Sequence, residues 1–100
     1  MKKLLLLLTL APCIAFGQKT YVPDSLFENY LENNGMGDGI SNNDSVLTAN
    51  ISSVDTVILY WMGGISDLTG IEDFTALANL YCYFNQLTSL DVSNNTALTY

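Results

Sequence analysis

The second half of the chain carries apolar residues at positions that recur with a fixed period. Residues 77–90 form the string L-x-x-L-x-C-x-x-N-x-L-x-x-L, where x stands for any residue. Moving back by 22 positions places Ile58 on Leu80 and Ile65 on Leu87, so much of the string is present twice. Recurrence of one pattern at a spacing of about 20–50 residues predicts a repeat architecture, in which successive units stack on one another.

Between the two strings, apolar residues follow one another at every third position. Side chains at i and i+3 eclipse each other in a 3₁₀ helix, so this spacing predicts a tight, 3₁₀-like path from one repeat to the next. The residues concerned are Leu68, Ile71, Phe74, Leu77 and Leu80.

A helix is predicted upstream of the repeats, and it opens at residues 23–25. Proline suits the first helical turn because its missing N–H would have no partner there. Ser25 and Glu28 have the spacing of a capping box, while Asp24 is an equally good N-cap, and the sequence does not decide between them. The helix is predicted to end near residues 33–35, and its position suits it to cover the open end of a repeat array. One face of it collects Leu26, Phe27, Tyr30 and Leu31.

Residues 35–44, between the helix and the repeats, are dense in glycine, asparagine and aspartate. Carboxylate and carbonyl oxygens are the donors that calcium takes, so a calcium loop is one interpretation. An EF-hand alignment of Asn34 and Asp38, however, puts the thioether of Met36 at the second ligand position. We favour turn chemistry, in which glycine supplies positive φ and Asn or Asp side chains bond to nearby backbone, and we predict no metal or other cofactor.

The repeated strings resemble the leucine-rich repeat, whose usual form is L-x-x-L-x-L-x-x-N-x-L. The segment 65–77 is similar to internalin-type bacterial repeats, which read I-x-D-[IL]-x-x-[IL]-x-x-[LF]-x-x-L. Residues 90–98, L-D-V-S-N-N-T-x-L, resemble the short repeats of secreted bacterial leucine-rich repeat surface proteins. The resemblance covers residues 54–100 and implies an α/β repeat fold. That fold is a leucine-rich repeat solenoid of short parallel strands with a 3₁₀ or irregular convex side, here preceded by an N-terminal capping helix.

In that fold the segment L-x-L is a short strand whose two leucines point inward and whose middle residue points outward. In the first repeat, the unbroken offset of 22 turns Ile58 and Tyr60 inward. A competing frame, with one residue inserted before Gly63, instead turns Val57 and Leu59 inward. A slip of one residue exchanges the two faces of a strand, and we favour the first frame because it keeps the offset unbroken.

Adding 21 to Leu80 places the next strand at position 101, one past the last residue given. We therefore expect the N-terminal part of a longer protein, or a truncated one, because an array normally needs about three repeats and two caps. Alone it is expected to be marginally stable and to self-associate through its open C-terminal repeat edge. The resemblance also implies that Asn85 bonds to the backbone of neighbouring turns, a role that Gly63 cannot fill. The implied structural core is Ile58, Tyr60, Ile65, Leu68, Ile71, Phe74, Leu77, Leu80, Cys82, Asn85, Leu87, Leu90, Val92 and Leu98.

The first 17 residues form a predicted secretory signal peptide, with a basic start, an apolar run over residues 4–10 and small residues before Gln18. A transmembrane anchor would need about 20 apolar residues, and this run is interrupted. Lipidation of Cys13 fits poorly with the residues around it. The chain thus divides into a signal peptide (1–17), a helical cap with its Gly/Asn/Asp-rich link (18–50) and about two truncated repeats (51–100).

Charge narrows the range of partners. The formal net charge is −7, and removal of Lys2 and Lys3 with the signal peptide leaves ten acidic residues against Lys19, about −9. Such a surface repels phosphate backbones and anionic lipid, so nucleic acid and membrane surfaces are disfavoured, and no membrane span is expected after cleavage. Cys82 would then be the single cysteine, which prevents an internal disulfide and suits a small buried hydrophobe.

The sequence offers little for catalysis. It contains no histidine, and a nucleophile needs a paired base. Residues 35–39 lack the lysine and the preceding strand of a phosphate-binding loop. Glu72 and Asp73 are adjacent, so their carboxylates do not converge on one substrate atom. We predict a non-enzyme, with two alternatives: the targeting arm of a larger secreted enzyme whose catalytic domain lies beyond residue 100, or a degenerate gene fragment without a role.

What remains is a surface on the concave face of the implied sheet. Strand alternation points Tyr81 and Tyr83 outward, with Phe84 close by and Trp61 contributed by the first repeat. Aromatic residues are enriched where proteins bind, although they also favour strands. The resemblance implies an exported, non-catalytic module that binds a protein or a glycan at the cell surface or extracellularly, and we expect these four residues to make the contact.

Overall fold

The computed structural model describes residues 17–60 and 63–100. The predicted signal peptide (except Gly17) and Trp61 lie outside the described residues. Strands β1 and β2 pair antiparallel, and strands β3 and β4 pair parallel. The elements are β1 (Lys19–Tyr21), α1 (Ser25–Asn33), β2 (Ser45–Leu47), a 3₁₀ turn (Thr48–Asn50), β3 (Thr56–Ile58), a second 3₁₀ turn (Ile71–Asp73) and β4 (Asn79–Tyr81).

Helix α1 begins where the side chain of Asp24 caps it. The Asp24 Oδ1 atom accepts hydrogen bonds from the N–H groups of Leu26 (3.0 Å) and Phe27 (3.1 Å). This decides between the two N-cap candidates, because Ser25 is already the first helical residue. Phe27 and Leu31 are fully buried, whereas Leu26 is 39 % exposed. Each residue turns about 100° around a helix axis, so Leu26 lies on the flank of the buried face.

The second oxygen of the Asp24 carboxylate joins the helix to the first repeat. Asp24 Oδ2 accepts hydrogen bonds from the N–H groups of Ser66 (3.0 Å) and Asp67 (3.2 Å). At the other end of the contact, the Tyr30 hydroxyl accepts a hydrogen bond from the N–H of Ile58 at the edge of β3 (3.2 Å). The N-terminal segment therefore satisfies backbone donors of the repeat that its own strands leave unpaired.

Strand β1 crosses the return path of the first repeat at contact distance. The buried Thr20 hydroxyl donates to Asp73 Oδ2 (2.7 Å). Gly70 has a φ of 107°, and a Cβ atom there would lie 2.8 Å from Val22 Cγ2 and 2.9 Å from the Tyr21 carbonyl oxygen. Glycine is thus required at this position both for its backbone conformation and for the close approach of the two segments.

The return path of the first repeat is a series of three-residue turns. The N–H of Ile71 donates to Leu68 O (2.9 Å), that of Phe74 to Ile71 O (3.0 Å) and that of Leu77 to Phe74 O (3.1 Å). These bonds follow the three-residue spacing of the apolar side chains, which all point into one core. The rings of Phe27 and Phe74 meet in that core with their centroids 6.2 Å apart, so helix and repeat share it.

The frame that we favoured for the first strand is wrong. Strand β3 pairs with β4 so that Val57 lies opposite Leu80. Val57 and Leu59 are fully buried, while Ile58 is 43 % and Tyr60 is 40 % exposed, so Ile58 and Tyr60 do not belong to the core. The inward frame buries two wholly aliphatic side chains and leaves the Tyr60 hydroxyl in water, which avoids the cost of burying an unpaired polar group.

The extra residue in the first repeat is accommodated by a pair of glycines. Gly63 and Gly64 have φ values of 84° and 105°, a backbone conformation that side chains with a Cβ rarely adopt. The spacing between paired strand residues is therefore 23 from Val57 to Leu80. The next spacing is 21, because Tyr100 bonds to the residues on either side of Asn79 in the pattern of a parallel strand.

Leu90 also lies outside the core, at 44 % exposure, contrary to the prediction. The Asp91 carboxylate accepts hydrogen bonds from the N–H and hydroxyl of Ser93, and this local turn directs Val92 inward in place of Leu90. The other predicted core side chains lie as follows. Ile65, Leu68, Ile71, Phe74, Leu77 and Leu80 are buried, and Cys82, Leu87, Val92 and Leu98 are half-buried against them.

The strand register predicts unequal losses of stability for two neighbouring truncations. Leu59→Ala should lower the free energy of unfolding by about 2–5 kcal/mol, because it leaves a cavity in the core. Ile58→Ala, on the outward face, should cost less than about 1 kcal/mol. Urea unfolding followed by circular dichroism measures both values. A larger loss for Ile58→Ala would restore the frame with Ile58 inside.

The Asp24 carboxylate bonds both to the helix and to the first repeat, which predicts unequal losses of stability when Asp24 and Ser25 are replaced. Asp24→Ala should lower the free energy of unfolding by about 1–3 kcal/mol, because it removes the helix cap and two bonds to the first repeat. Ser25→Ala is the matched control, and it should change that free energy by no more than about 0.5 kcal/mol. Equal losses in the two variants would show that Ser25 carries the cap.

Candidate functional site

Alternation along β3 and β4 turns one set of side chains into the core and the other outward. The outward set is uncharged and largely aromatic. Tyr81 and Tyr83 project from the second strand row with Phe84 beside them, as expected from the sequence, and Trp61 lies outside the described residues. We call the outward surface the strand face, and its residues are Ile58, Tyr60, Tyr81, Tyr83, Phe84 and Tyr100.

The rings of the strand face stack on one another. Tyr60 and Tyr83 lie 5.1 Å apart between centroids, with only 4° between their planes. Tyr81 and Tyr100 are also 5.1 Å apart and are tilted by 42°. Neighbouring strands are about 4.8 Å apart, so aromatic residues aligned across a ladder are held at stacking distance by the sheet itself. The rings thus form two groups, Tyr60 with Tyr83 and Tyr81 with Tyr100.

Sequence reasoning missed three members of this surface. The favoured frame, which the structure overturns, assigns Ile58 and Tyr60 to the core, and the repeat spacing places the next strand one position past Tyr100. A signal for Tyr60 was present, because a phenol hydroxyl is expensive to bury without a partner, whereas the adjacent Leu59 has no polar atom. Tyr100 could be placed only once its backbone bonds to Ala78 and Leu80 were known.

Asn85 holds the turn that follows β4. Its Nδ2 donates to the carbonyl oxygens of Leu59 (2.7 Å) and Cys82 (3.2 Å), and its Oδ1 accepts from the N–H of Ile65 (3.1 Å). The same nitrogen lies 3.4 Å from the carbonyl oxygen of Tyr83. One amide therefore fixes the backbone next to the strand face and connects it to the previous repeat.

Phe84 occupies a backbone conformation that suits other residue types. Among the described residues, positive φ occurs at five glycines, at Asn42 and Asp44, and at Phe84, whose φ is 60°. Asn and Asp tolerate this region, whereas a bulky residue there is unusual and costs roughly 1–3 kcal/mol. The Phe84 side chain is nevertheless 67 % exposed, and it meets Tyr83 edge to face at 5.1 Å.

Two carboxylates of helix α1 bind the backbone of the acidic loop that follows it. Glu28, which is 1 % exposed, accepts hydrogen bonds from the N–H groups of Asn43 and Asp44, both at 3.1 Å. Glu32 accepts from the N–H groups of Asp38 (3.0 Å) and Gly39 (3.1 Å). Over residues 17–60 and 63–100, no three His, Cys, Asp or Glu side chains are grouped to hold a metal ion. The Glu28 and Glu32 carboxylates are thus bonded to N–H groups of the loop.

Other polar groups give little basis for catalysis. Hydrogen bonds from the Thr69 hydroxyl and N–H lower the pKa of Asp67, and those from Ser93 lower the pKa of Asp91. Both carboxyls line one shallow polar cavity of about 250 Å³, where their lowered pKa values keep them ionised near neutral pH and unsuited to general acid chemistry. Burial raises the pKa of the Cys82 thiol, which disfavours the nucleophilic thiolate.

The fold is of the leucine-rich repeat type, as comparison with a solved structure shows. No family model matches the sequence. A 32-residue segment, 32 % of this chain, is 56 % identical to Internalin J of Listeria monocytogenes serotype 4b (strain F2365) and covers 4 % of that protein. A solved structure of the functional domain of InlJ from Listeria monocytogenes, described as including a cysteine ladder, matches with a TM-score of 0.69 and 28 % identity. That match covers 87 % of this chain and 19 % of the other.

Both matches support an internalin-like leucine-rich repeat protein. The chain spans a small part of the length of both proteins that it matches. In the portion of the chain that the structure describes, no helix has the length and apolar character needed to cross a membrane.

The hydrogen bonds of the Asp38 carboxyl predict how the stability of the fold depends on pH. A hydrogen bond from the Asn43 side chain, together with those from the Ile40 N–H and Lys19, holds the pKa of Asp38 well below its ordinary value, against the opposing effect of burial. A lowered pKa in the folded state stabilises the fold at pH values above the unfolded pKa of about 3.9, and this contribution is lost as pH falls further. Asp38→Asn should therefore destabilise the protein more at pH 7 than at pH 2.

Urea midpoints of the wild type and Asp38→Asn, measured between pH 7 and pH 2, test this prediction. The difference between them should be constant down to about pH 4 and should narrow below it. A difference that stays constant to pH 2 would show that the lost bonds act independently of the carboxylate charge.

Proposed function

We propose that this chain is an exported, non-catalytic leucine-rich repeat module that binds a protein or glycan ligand through its strand face. The observation that carries the proposal is the layer of stacked, uncharged aromatic side chains on the outward side of the parallel sheet. Large apolar groups left in water favour burial against a partner, and aromatic residues supply much of the binding energy in protein interfaces.

Preorganisation of the face supports the proposal. Tyr60 and Tyr83 hold each other in a nearly parallel stack, and Asn85 fixes the following turn from beneath. A surface that is ordered before binding loses little conformational entropy when a ligand arrives, so more of the contact energy appears as affinity. The strand face is therefore better suited to a specific contact than the same side chains would be on a mobile loop.

The N-terminal segment has a matching role in the proposal, as the cap of a repeat solenoid. Helix α1 places Phe27 and Leu31 over the core that the first repeat would otherwise expose. The Tyr30 hydroxyl occupies the free N–H of Ile58 on the outer edge of β3. A terminal element of this kind is what a repeat array requires in order to end in water.

Export is supported by the sequence pattern of residues 1–17, a basic start followed by an apolar run and small residues. Similarity to an internalin agrees with a role at the cell surface or outside the cell. The non-catalytic part of the proposal is supported by the raised pKa of the Cys82 thiol and by the absence of histidine from the sequence.

The proposal is tested with two unbiased ligand panels, a library of cyclic peptides displayed on phage and a glycan array. The double variant Tyr81→Ser/Tyr83→Ser should bind selected ligands at least about tenfold more weakly than the wild type, because it removes two contact rings. Its circular dichroism spectrum should be unchanged, since both side chains lie outside the core. Tyr21→Ser is the matched control, because Tyr21 is an exposed tyrosine on β1, away from the strand face.

Ligands that bind the double variant as tightly as the wild type would place the binding site elsewhere and would remove the proposal. An equal loss of ligand affinity in Tyr21→Ser would also remove the proposal, because it would show that the loss is not specific to tyrosines of the strand face.

A further inference from the structure

We propose that Tyr60 and Tyr83 form a site of oxidative cross-linking, at which a one-electron oxidant, a haem peroxidase with hydrogen peroxide, joins the two rings as dityrosine. The cross-link needs no ligand, so it goes beyond the proposed function. The observation that carries it is that these two tyrosines, distant in the sequence, are stacked on each other and exposed to solvent.

The strand register brings the two rings together. Val57 lies opposite Leu80 in the parallel sheet, and Tyr60 and Tyr83 each follow three residues later. Side chains at equivalent positions of neighbouring strands start on the same face, about 4.8 Å apart. The two ring centroids are 5.1 Å apart, and the ring planes differ by only 4°. The fold therefore places these phenols in contact in every folded copy of the chain.

One amide holds the backbone on both sides of the pair. Asn85 Nδ2 donates a hydrogen bond to the carbonyl oxygen of Leu59, next to Tyr60 (2.7 Å), and it also bonds to that of Tyr83 (3.4 Å). The rings themselves are 40 % and 53 % exposed, and exposed side chains change rotamer within nanoseconds. The rings can thus turn into the geometry of a carbon–carbon bond while the backbone keeps them adjacent.

The coupling is a two-electron oxidation of the pair. Each phenol gives up one electron and one proton and becomes a tyrosyl radical. The two radicals combine through the ring carbons ortho to their oxygens, and the hydrogen on each of these carbons moves to a phenol oxygen, which restores both aromatic rings. The two electrons and two protons released convert one molecule of hydrogen peroxide into two molecules of water.

Proximity and charge favour coupling within one chain. A radical on one ring already has its partner in contact, whereas coupling between two chains requires an encounter. The formal net charge of −7 makes copies of the chain repel each other. Tyr21 is more exposed than either ring of the pair, at 62 %, but over residues 17–60 and 63–100 no ring contact joins it to another aromatic residue.

Tyr81 and Tyr100 are the competing pair. Their centroids are also 5.1 Å apart, but the rings are tilted by 42° and Tyr81 is half-buried. Coupling requires a radical on both rings, so an oxidant in solution reaches this pair less readily than the pair in which both rings are exposed.

The new bond would tie the two strand rows together covalently. It closes a loop over residues 60–83, which contains the return path of the first repeat. A cross-link of this kind restricts the unfolded chain more than the folded one, so the melting temperature of the cross-linked chain should rise by roughly 5–15 °C.

The test treats the full chain, at low protein concentration, with a haem peroxidase and hydrogen peroxide. We expect dityrosine fluorescence from a monomer, and cleavage after Asp and Glu should release fragment 56–67 joined to fragment 74–91, identified by tandem mass spectrometry. Tyr60→Phe and Tyr83→Phe keep a ring but lack the phenol, so each should lower the yield of this species at least about tenfold, because no other phenol is held in its place. Tyr21→Phe is the matched control and should leave the yield unchanged.

Each other result overturns the inference. Dityrosine found only in dimers, or only between fragments 74–91 and 92–100, would place the reaction away from Tyr60 and Tyr83. A folded chain that yields no dityrosine would show that the stacked rings do not reach the coupling geometry. An equal loss of yield in Tyr21→Phe would show that the reaction is not specific to the pair, and a cross-linked chain without a higher melting temperature would show that the bond does not tie the strand rows. None of these results involves a ligand, so the proposed function stands or falls separately by the ligand panels.

Discussion

The fold depends on one carboxylate that is shared between two parts of the chain. Asp24 gives one oxygen to the first N–H groups of helix α1 and the other to the turn at Ser66 and Asp67. Two parallel strands of three residues cannot bury a core by themselves, so the repeat needs a second element against it. The helix supplies Phe27 to that core, and Asp24 sets where the helix lies. Backbone N–H groups in the first helical turn and in the turn of the first repeat would lack a partner if the helix lay elsewhere, so their cost fixes the position of the helix.

Burial in the shared core then determines the character of the strand face. Because Leu59 enters the core, Tyr60 must point outward, where it meets Tyr83 in a nearly parallel stack. The shift of one residue is absorbed by Gly63 and Gly64, away from the paired strands. A surface that we propose to be functional is therefore a consequence of packing on the opposite side of the sheet. The stacking of Tyr60 on Tyr83 across two repeats follows from register, because aligned side chains on neighbouring strands lie within stacking distance.

Carboxylates have a structural use elsewhere in this acidic chain as well. Glu28 and Glu32 each accept two backbone N–H groups of the loop that follows the helix, so the loop is folded around acceptors rather than around a cation. The same chemistry recurs in the return paths, where Asp67 and Asp91 each bond to the residue two positions on. High acidity is thus partly explained by carboxylates that accept backbone N–H groups.

Local patterns in the sequence determined the helix from residue 25 and the three-residue turns of the return path, because these depend on geometry between near neighbours. They also placed Tyr81 and Tyr83 on one face, with Phe84 close by, since alternation along a strand is local. Only the tertiary structure decided which frame the first strand adopts. Both frames satisfy the local pattern, and the choice between Leu59 and Tyr60 is made by whether a side chain can be buried without an unpaired polar atom in a core that distant segments complete.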